Sequence, residues 1–451
     1  MAFSSVIAII WSLSINCNYV PFLLLLLISI FFFVSIYISN NKFKILELDK
    51  KSCILSIFIM WIVLILMGTV PLYIIFPEEK AKDIFFLSVS LSTTSGIWTE
   101  IENINKPEFL IWQAILQWLG GLCTILVGSF FVEMVLRKKS ILKDYFSIEN
   151  IKIIFYLFLS LTVIFTILFK LLLNSWSEAL QLSMALISTS NAYNPNGEII
   201  VENNVITKIV MIFAMIFGSL SINLHYKSFA NGFLSYFKNK NFKLAFILIF
   251  SITFFITLGL FNNVKISFFD KYIETCFLII SFLSTTGLVP NDLYQYGALT
   301  NLVLVLGLLT LIGGSVSSTT GGLKPARLIS IYKYISIELF RLCNPRKIKA
   351  KEQIYSIDKT SQIFIFTILY LAIIPILSSI MSLFEINFDE AFIIVVSAFS
   401  NTGIGLIEIA DVHYYPDTFM EIILLSIIML CGRIEIFITM ILLSSIFWKK
   451  I

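Results

Sequence analysis

Charge is scarce in this chain. Asp, Glu, Lys and Arg supply 13% of its 451 residues, against 58% hydrophobic residues. That excludes a surface facing water throughout, and with it the two or three soluble domains such a length otherwise suggests. No Lys or Arg precedes Lys42, so the start lacks the basic segment of a cleavable signal peptide. The cysteines (Cys17, Cys53, Cys123, Cys276, Cys343, Cys431) are scattered with neither CxxC nor metal-ligand spacing, and read as small buried residues. Histidine is confined to the isolated His225 and His413. No acid/base pair, nucleophile–histidine pairing or metal-ligand cluster stands out in the apolar runs, which argues against an enzyme. No GxGxxG lies on a soluble βαβ unit, so no cofactor is expected in this chain. The net charge is only +4, and the basic excess sits beside apolar runs, a poor fit to nucleic acid.

What the chain has is long apolar runs. Ile54–Phe76, Ile153–Leu173, Leu244–Phe261 and Ile363–Phe384 reach the roughly 18 residues that span a bilayer. They are continuous rather than alternating, which excludes a β-barrel. The class expected is an all-α polytopic membrane protein. Val20–Ile38 reads as a first span, and Met1–Ser14 leaves open whether it crosses.

Inside the runs a tetrad recurs: Thr93–Thr94–Ser95–Gly96, Ser188–Thr189–Ser190–Asn191, Ser284–Thr285–Thr286–Gly287 and Ser400–Asn401–Thr402–Gly403. Ten residues before each stands an acid (Asp83, Glu178, Glu274, Glu390), and three before each a small residue (Ser90, Ala185, Ser281, Ser397). Such self-similarity defines four tandem repeats, taken as 52–150, 151–241, 242–358 and 359–451, after an N-terminal region 1–51. Basic clusters (Lys42/Lys44/Lys50/Lys51, Arg137/Lys138/Lys139/Lys143, Lys238/Lys240/Lys243, Arg341/Arg346/Lys347/Lys349/Lys351, Lys449/Lys450) flank the repeats and are expected inside the cell, the C-terminus with them. The acid-rich loops between them are expected outside. The segment before each tetrad is about ten residues, about 15 Å as helix, half a membrane. Each repeat is therefore read as outer helix, short re-entrant pore helix, extended tetrad and inner helix, closing a pseudo-tetrameric cation pore, with one or two extra N-terminal helices. The acid near each short helix's start suits the positive end of its dipole, and the negative ends converge on a cavity that favours a cation.

The tetrads suit a cation filter. Backbone carbonyls replace the ion's hydration shell, glycine permits the φ that aims them, and Ser and Thr hydroxyls add ligands. Asn191 replaces glycine in the second tetrad, and Asn tolerates positive φ. A one-residue gap would put Ala192 there instead; the ungapped alignment is preferred. In repeat three the second apolar run is broken at Gly313–Gly314–Ser315–Val316–Ser317–Ser318–Thr319–Thr320–Gly321–Gly322, a poor helix sequence. Irregular backbone at membrane depth must line water or be buried in protein, and a loop across the conduction path meets that. Arg433 lies within the last apolar run. It is either a structural partner of Glu435 or another repeat, or a fixed positive charge below the filter.

These residues, with Leu116-Gln-Trp-Leu-Gly-Gly-Leu122, the Gly313–Arg327 block and Gly432-Arg-Ile-Glu-Ile-Phe437, resemble the Trk/Ktr/HKT superfamily of potassium transporters, most of all the bacterial TrkH/KtrB pore subunits. The resemblance covers about residues 52–448. It implies potassium uptake across the inner (cytoplasmic) membrane through a filter within one chain, a gating loop at 313–322 and a pore-facing Arg433. It also implies a homodimer and a cytosolic TrkA/KtrA-like nucleotide-binding ring, so that nucleotide is expected only on that partner. Two alternatives compete: a sodium-permeable channel of the same fold, and an alternating-access transporter of a small solute. The second predicts two-fold inverted repeats, whereas the repeat here is four-fold.

Overall fold

The computed structural model describes residues 1–40, 50–101, 105–136, 148–191, 204–232, 234–238, 240–260, 267–290, 300–343, 357–434 and 436–448. Ala192, Glu435 and most of the basic clusters, including 137–143, 346–351 and 449–450, lie outside these residues.

Among the described residues the regular structure is all helical. Repeat one comprises outer helix Lys50–Ile75, short helix Ala81–Ser92 and inner helix Pro107–Leu136. In repeat two these are Ile148–Lys170, Trp176–Ile187 and Val205–Ser219. Repeat three has Lys240–Leu260, Phe268–Leu283 and Val303–Ile312, and repeat four Ile357–Met381, Phe388–Ser400 and Phe419–Ile434. Among the described residues five helices are long and apolar enough to cross a membrane, and the bent pair Val205–Ser219 and Ile222–Asn231 would make a sixth span. This is the all-α polytopic membrane architecture expected. Ala2–Ile15 is a 14-residue helix, about 21 Å long. It packs on Val20–Asn40 and on inner helix one, and Trp11 Nε1 donates to Ser177 Oγ at 3.1 Å.

The short helices run 12, 12, 16 and 13 residues, somewhat longer than ten. Asp83, Glu178 and Glu390 lie in the first turn of theirs, where the dipole favours an acid. Repeat three departs from this: its helix starts earlier, Asp270 takes the first turn, and Glu274 falls further along. There Glu274 forms a largely buried ion pair with Lys208 of inner helix two. A buried charge needs such a partner, so this acid couples two repeats rather than capping a helix.

One packing rule repeats around the molecule. Each outer helix packs on the short helix of its own repeat. Each inner helix packs on its own short helix and on that of the next repeat, and inner helix four closes the ring against short helix one. The inner layer is the buried one: 72% of the span in Pro107–Ser129 is buried, against 28% in Asn150–Lys170 and in Ile363–Phe384. The outer helices turn large apolar side chains such as Leu66, Phe255 and Leu371 outward, as a lipid-facing layer requires.

Close approach inside a repeat depends on glycine. A Cβ on Gly120 would overlap Ser92 O, and one on Gly432 would overlap Phe399 O. On Gly218 it would stand 2.8 Å from Ile187 O. Each of these carbonyls belongs to the residue just before a tetrad, so three inner helices rest on the ends of their own short helices. Gly120→Ala should therefore cost about 1–3 kcal/mol, read as a lower unfolding midpoint in detergent. Gly259→Ala, where an added Cβ meets nothing within 4 Å, is the control and should gain slightly from helix propensity. Equal midpoints for the two variants would refute the contact.

Candidate functional site

All four short helices end alike. The second tetrad residue is left-handed each time: Thr94 (φ 54°), Thr189 (49°), Thr285 (57°) and Asn401 (56°). The third residue's N–H reaches back to the small residue upstream: Ser95 to Ser90 O (2.9 Å), Ser190 to Ala185 O (2.9 Å), Thr286 to Ser281 O (2.8 Å) and Thr402 to Ser397 O (3.0 Å). The second residue's N–H bonds the carbonyl three back, for example Thr94 to Leu91 O at 3.1 Å. Together these form a Schellman motif, usually closed by glycine. A non-glycine left-handed residue costs about 1–2 kcal/mol, and here it is accepted four times at equivalent positions. The common geometry places the second tetrad in register without a gap. The periodic small residue signalled this in the sequence; the left-handed turn beside it was not anticipated.

The fourth residue is left-handed in three repeats: Gly96 (φ 68°), Gly287 (70°) and Gly403 (84°). Asn191 is not among the positive-φ residues. Although Asn tolerates positive φ, it takes the place here with a different conformation, and its side chain fills space beside Gly96 and Gly403.

The four tetrads come together, all buried. Asn401 Nδ2 donates to Ser95 Oγ (2.7 Å) and to Met429 O (2.9 Å), tying repeat four to repeat one. Gly403 abuts Ser95 O, and Gly287 abuts Thr402 O. Within tetrads the first and third hydroxyls pair: Thr93–Ser95 (2.9 Å), Ser284–Thr286 (2.7 Å) and Ser400–Thr402 (2.7 Å). Gln117 Nε2 donates to Asn191 O at 3.1 Å. Sequence reasoning missed Gln117; its signal was a pair of amides, Gln113 and Gln117, one turn apart among apolar neighbours in inner helix one.

The break in repeat three lies against these tetrads. Gly313 (φ 67°) ends the helix, and Ser317 (59°) and Gly322 (81°) turn the loop. Gly314 N and Ser318 Oγ both bond Thr320 Oγ1, at 3.0 and 2.8 Å. Gly321 N donates to Thr285 Oγ1 at 3.1 Å, under the third tetrad. The other side of the loop docks on repeat two, where the inner helix bends by 106° between Ser219 and Ile222. That bend frees carbonyls that the loop uses: Ser315 N and Oγ donate to Ser219 O (2.9 and 2.7 Å), and Thr319 Oγ1 to Gly218 O (2.9 Å). Ile222 N in turn donates to Ser317 O at 3.1 Å.

Arg433 joins the two. Its Nε donates to Thr93 O at 2.5 Å, its Nη2 to Thr94 Oγ1 and its Nη1 to Thr319 O. The planar fork thus bridges the first tetrad and the loop. Glu435, the alternative partner, lies outside the described residues. Beside them is a cavity whose lining mixes Thr124, Ser317, Lys324, Arg327 and Arg433 with Val127 and Phe366.

Four repeats that bury mutually contacting Ser/Thr-rich tetrads inside an apolar helical shell are those of a membrane transport protein. No family model matches the chain. The chain is nevertheless similar, over most of its length, to the TrkH potassium uptake proteins. It is 26% identical to TrkH of Vibrio parahaemolyticus over 96% of this chain and 93% of that protein, and 25% identical to TrkH of Escherichia coli over 93% and 91%. It is also 26% identical, over 97% of its length, to an uncharacterized cation transporter of Methanocaldococcus jannaschii. Its fold matches the crystal structure of the potassium transporter TrkH from Vibrio parahaemolyticus with a TM-score of 0.86, covering 99% of this chain and 96% of that one at 23% identity.

Proposed function

We propose that this chain is the ion-conducting subunit of a potassium uptake system in the cytoplasmic membrane. One observation supports the reading: the four short helices end in the same left-handed turn, and their buried Ser/Thr-rich tetrads touch one another. Oxygen-lined strands of that kind dehydrate a cation without placing a charge in lipid. The tetrads act as the filter, with potassium at their carbonyls. The loop 313–322 acts as the gate, because it hydrogen-bonds Thr285 at the base of the tetrads and Ser219 on the far side. Arg433 is the electrostatic barrier between them. The chain works as a homodimer with its C-terminus inside, under a cytosolic nucleotide-binding ring of the TrkA/KtrA kind.

The test is growth of a potassium-uptake-deficient cell at low external potassium. Expression of this chain, with such a ring, should restore growth. Restoration by an organic solute in place of potassium would instead select the alternating-access reading. The gate has its own expected result: deleting 315–320 should raise rubidium flux into liposomes several-fold and weaken its dependence on the ring, since displacing a segment is a common switching mode. Unchanged or lower flux in folded protein would make the loop a structural brace.

A further inference from the structure

The second tetrad breaks the four-fold rule with a side chain. The carboxamide of Asn191 is turned toward Thr286 O and Thr402 O, backbone oxygens of the third and fourth tetrads. Both are acceptors, so the amide atom facing them is the nitrogen, which donates to Thr286 O and, at 3.3 Å, to Thr402 O. The same carboxamide lies 2.6 Å from where a Cβ on Gly96 would stand and 2.7 Å from one on Gly403. One side chain therefore touches all three other repeats at the level of their glycines. Meanwhile the backbone carbonyl of Asn191 is engaged by Gln117. Asn191 is fully buried, so its amide hydrogens have those carbonyls rather than bulk water to bond.

We propose that the Asn191 carboxamide is a tethered occupant of the filter. Its N–H group bonds the two carbonyls that a permeating cation would use at this level, so an ion binds there only by displacing it. The inference rests on the reading of the tetrads as a cation filter and makes Asn191 a specificity-determining residue. It also explains why the backbone need not copy glycine: repeat two contributes a side chain in place of a left-handed carbonyl. Two consequences follow. Half-saturation for the transported cation is raised, because ion and amide compete. Discrimination between cations at this level is reduced, because the ring of carbonyls is incomplete.

The experiment is rubidium uptake into proteoliposomes, with sodium as competitor, by the wild type and by Asn191→Gly, Asn191→Ala and Asn191→Asp. Removing two buried hydrogen bonds that compete with the ion should lower the half-saturating rubidium concentration about tenfold in the Gly and Ala variants, and sodium should compete less well. Ala is included because Asn191 is not left-handed, so its backbone accepts Ala without strain. Asp keeps the shape but cannot donate when ionised. It should recruit a cation between its carboxylate and the two carbonyls, giving thermal stability that rises with added rubidium. Half-saturation within two-fold of wild type in both Gly and Ala, with no rubidium-dependent stabilisation of the Asp variant, would overturn the proposal while wild-type uptake still upheld the filter. Folded wild type with no rubidium uptake at all would overturn both.

Discussion

Arg433→Gln should speed rubidium entry about tenfold while leaving cation preference close to wild type. The guanidinium spans the base of the first tetrad and the loop, through Thr93 O, Thr94 Oγ1 and Thr319 O. On the proposed reading of the tetrads as a filter, a cation leaving them meets this charge at short range. At about 6 Å and an effective dielectric of about 20 the repulsion is of order 3 kcal/mol. If water and the surrounding oxygens halve it, about 1.4 kcal/mol remains, a factor of ten in rate. The same three hydrogen bonds latch the loop to the first tetrad, so charge and latch have to be separated. Arg433→Lys does so, because Lys keeps the charge but lacks the planar fork. A charge barrier predicts near-wild-type flux for Lys and fast flux for Gln. A latch predicts fast flux for both. If Arg433 were instead one half of a buried ion pair, Gln would leave an uncompensated acid and cost about 3–5 kcal/mol. The barrier idea fails if the Gln variant is poorly folded and shows no gain in uptake per folded molecule.

The membrane class, the four repeats and the order of helices within them were legible because they rest on long apolar runs and a register repeated four times. Periodicity of that length survives variation at any one residue. The Glu274 start and the Asn191 backbone were not legible, for a shared reason. Each is a place where one repeat makes a contact with another that its counterparts do not make: Glu274 with Lys208, Asn191 with the third and fourth tetrads. Averaging over repeats hides such contacts. The bend at Ser219 was hidden differently. Its freed carbonyls are satisfied by a loop far along the chain, and local propensity carries no trace of a partner so remote. The small residue upstream of each tetrad was visible as a pattern, yet its role as acceptor for a left-handed turn needed the backbone.

Substitution of the fourth tetrad residue should divide the glycines into two groups. Gly403 has φ 84° and ψ −155°, a region reached almost only by glycine, where another residue costs about 1–3 kcal/mol. A Cβ there would also overlap Ser95 O, a backbone atom of the neighbouring tetrad, and one on Gly287 would overlap Thr402 O. Backbone cannot swing aside as a side chain can, so Gly403→Ser or Gly287→Ser must move a carbonyl of the next repeat as well as its own. Gly96 differs. Its φ is 68°, but an added Cβ meets the Asn191 side chain rather than backbone, and that amide can make room by giving up its bonds to Thr286 O and Thr402 O. Gly403→Ser and Gly287→Ser should therefore lose potassium preference over sodium by about tenfold or more, since carbonyl aim sets the filter. Gly96→Ser should lose less, and combining it with Asn191→Ala should recover part of the loss by removing the collision. The measurement is the ratio of rubidium to sodium uptake in liposomes, with the unfolding midpoint recorded alongside to separate filter damage from misfolding. Wild-type ratios in both Gly403→Ser and Gly287→Ser would mean that these carbonyls do not face the ion. Equal losses at all three glycines would mean that neighbouring tetrads are not in backbone contact.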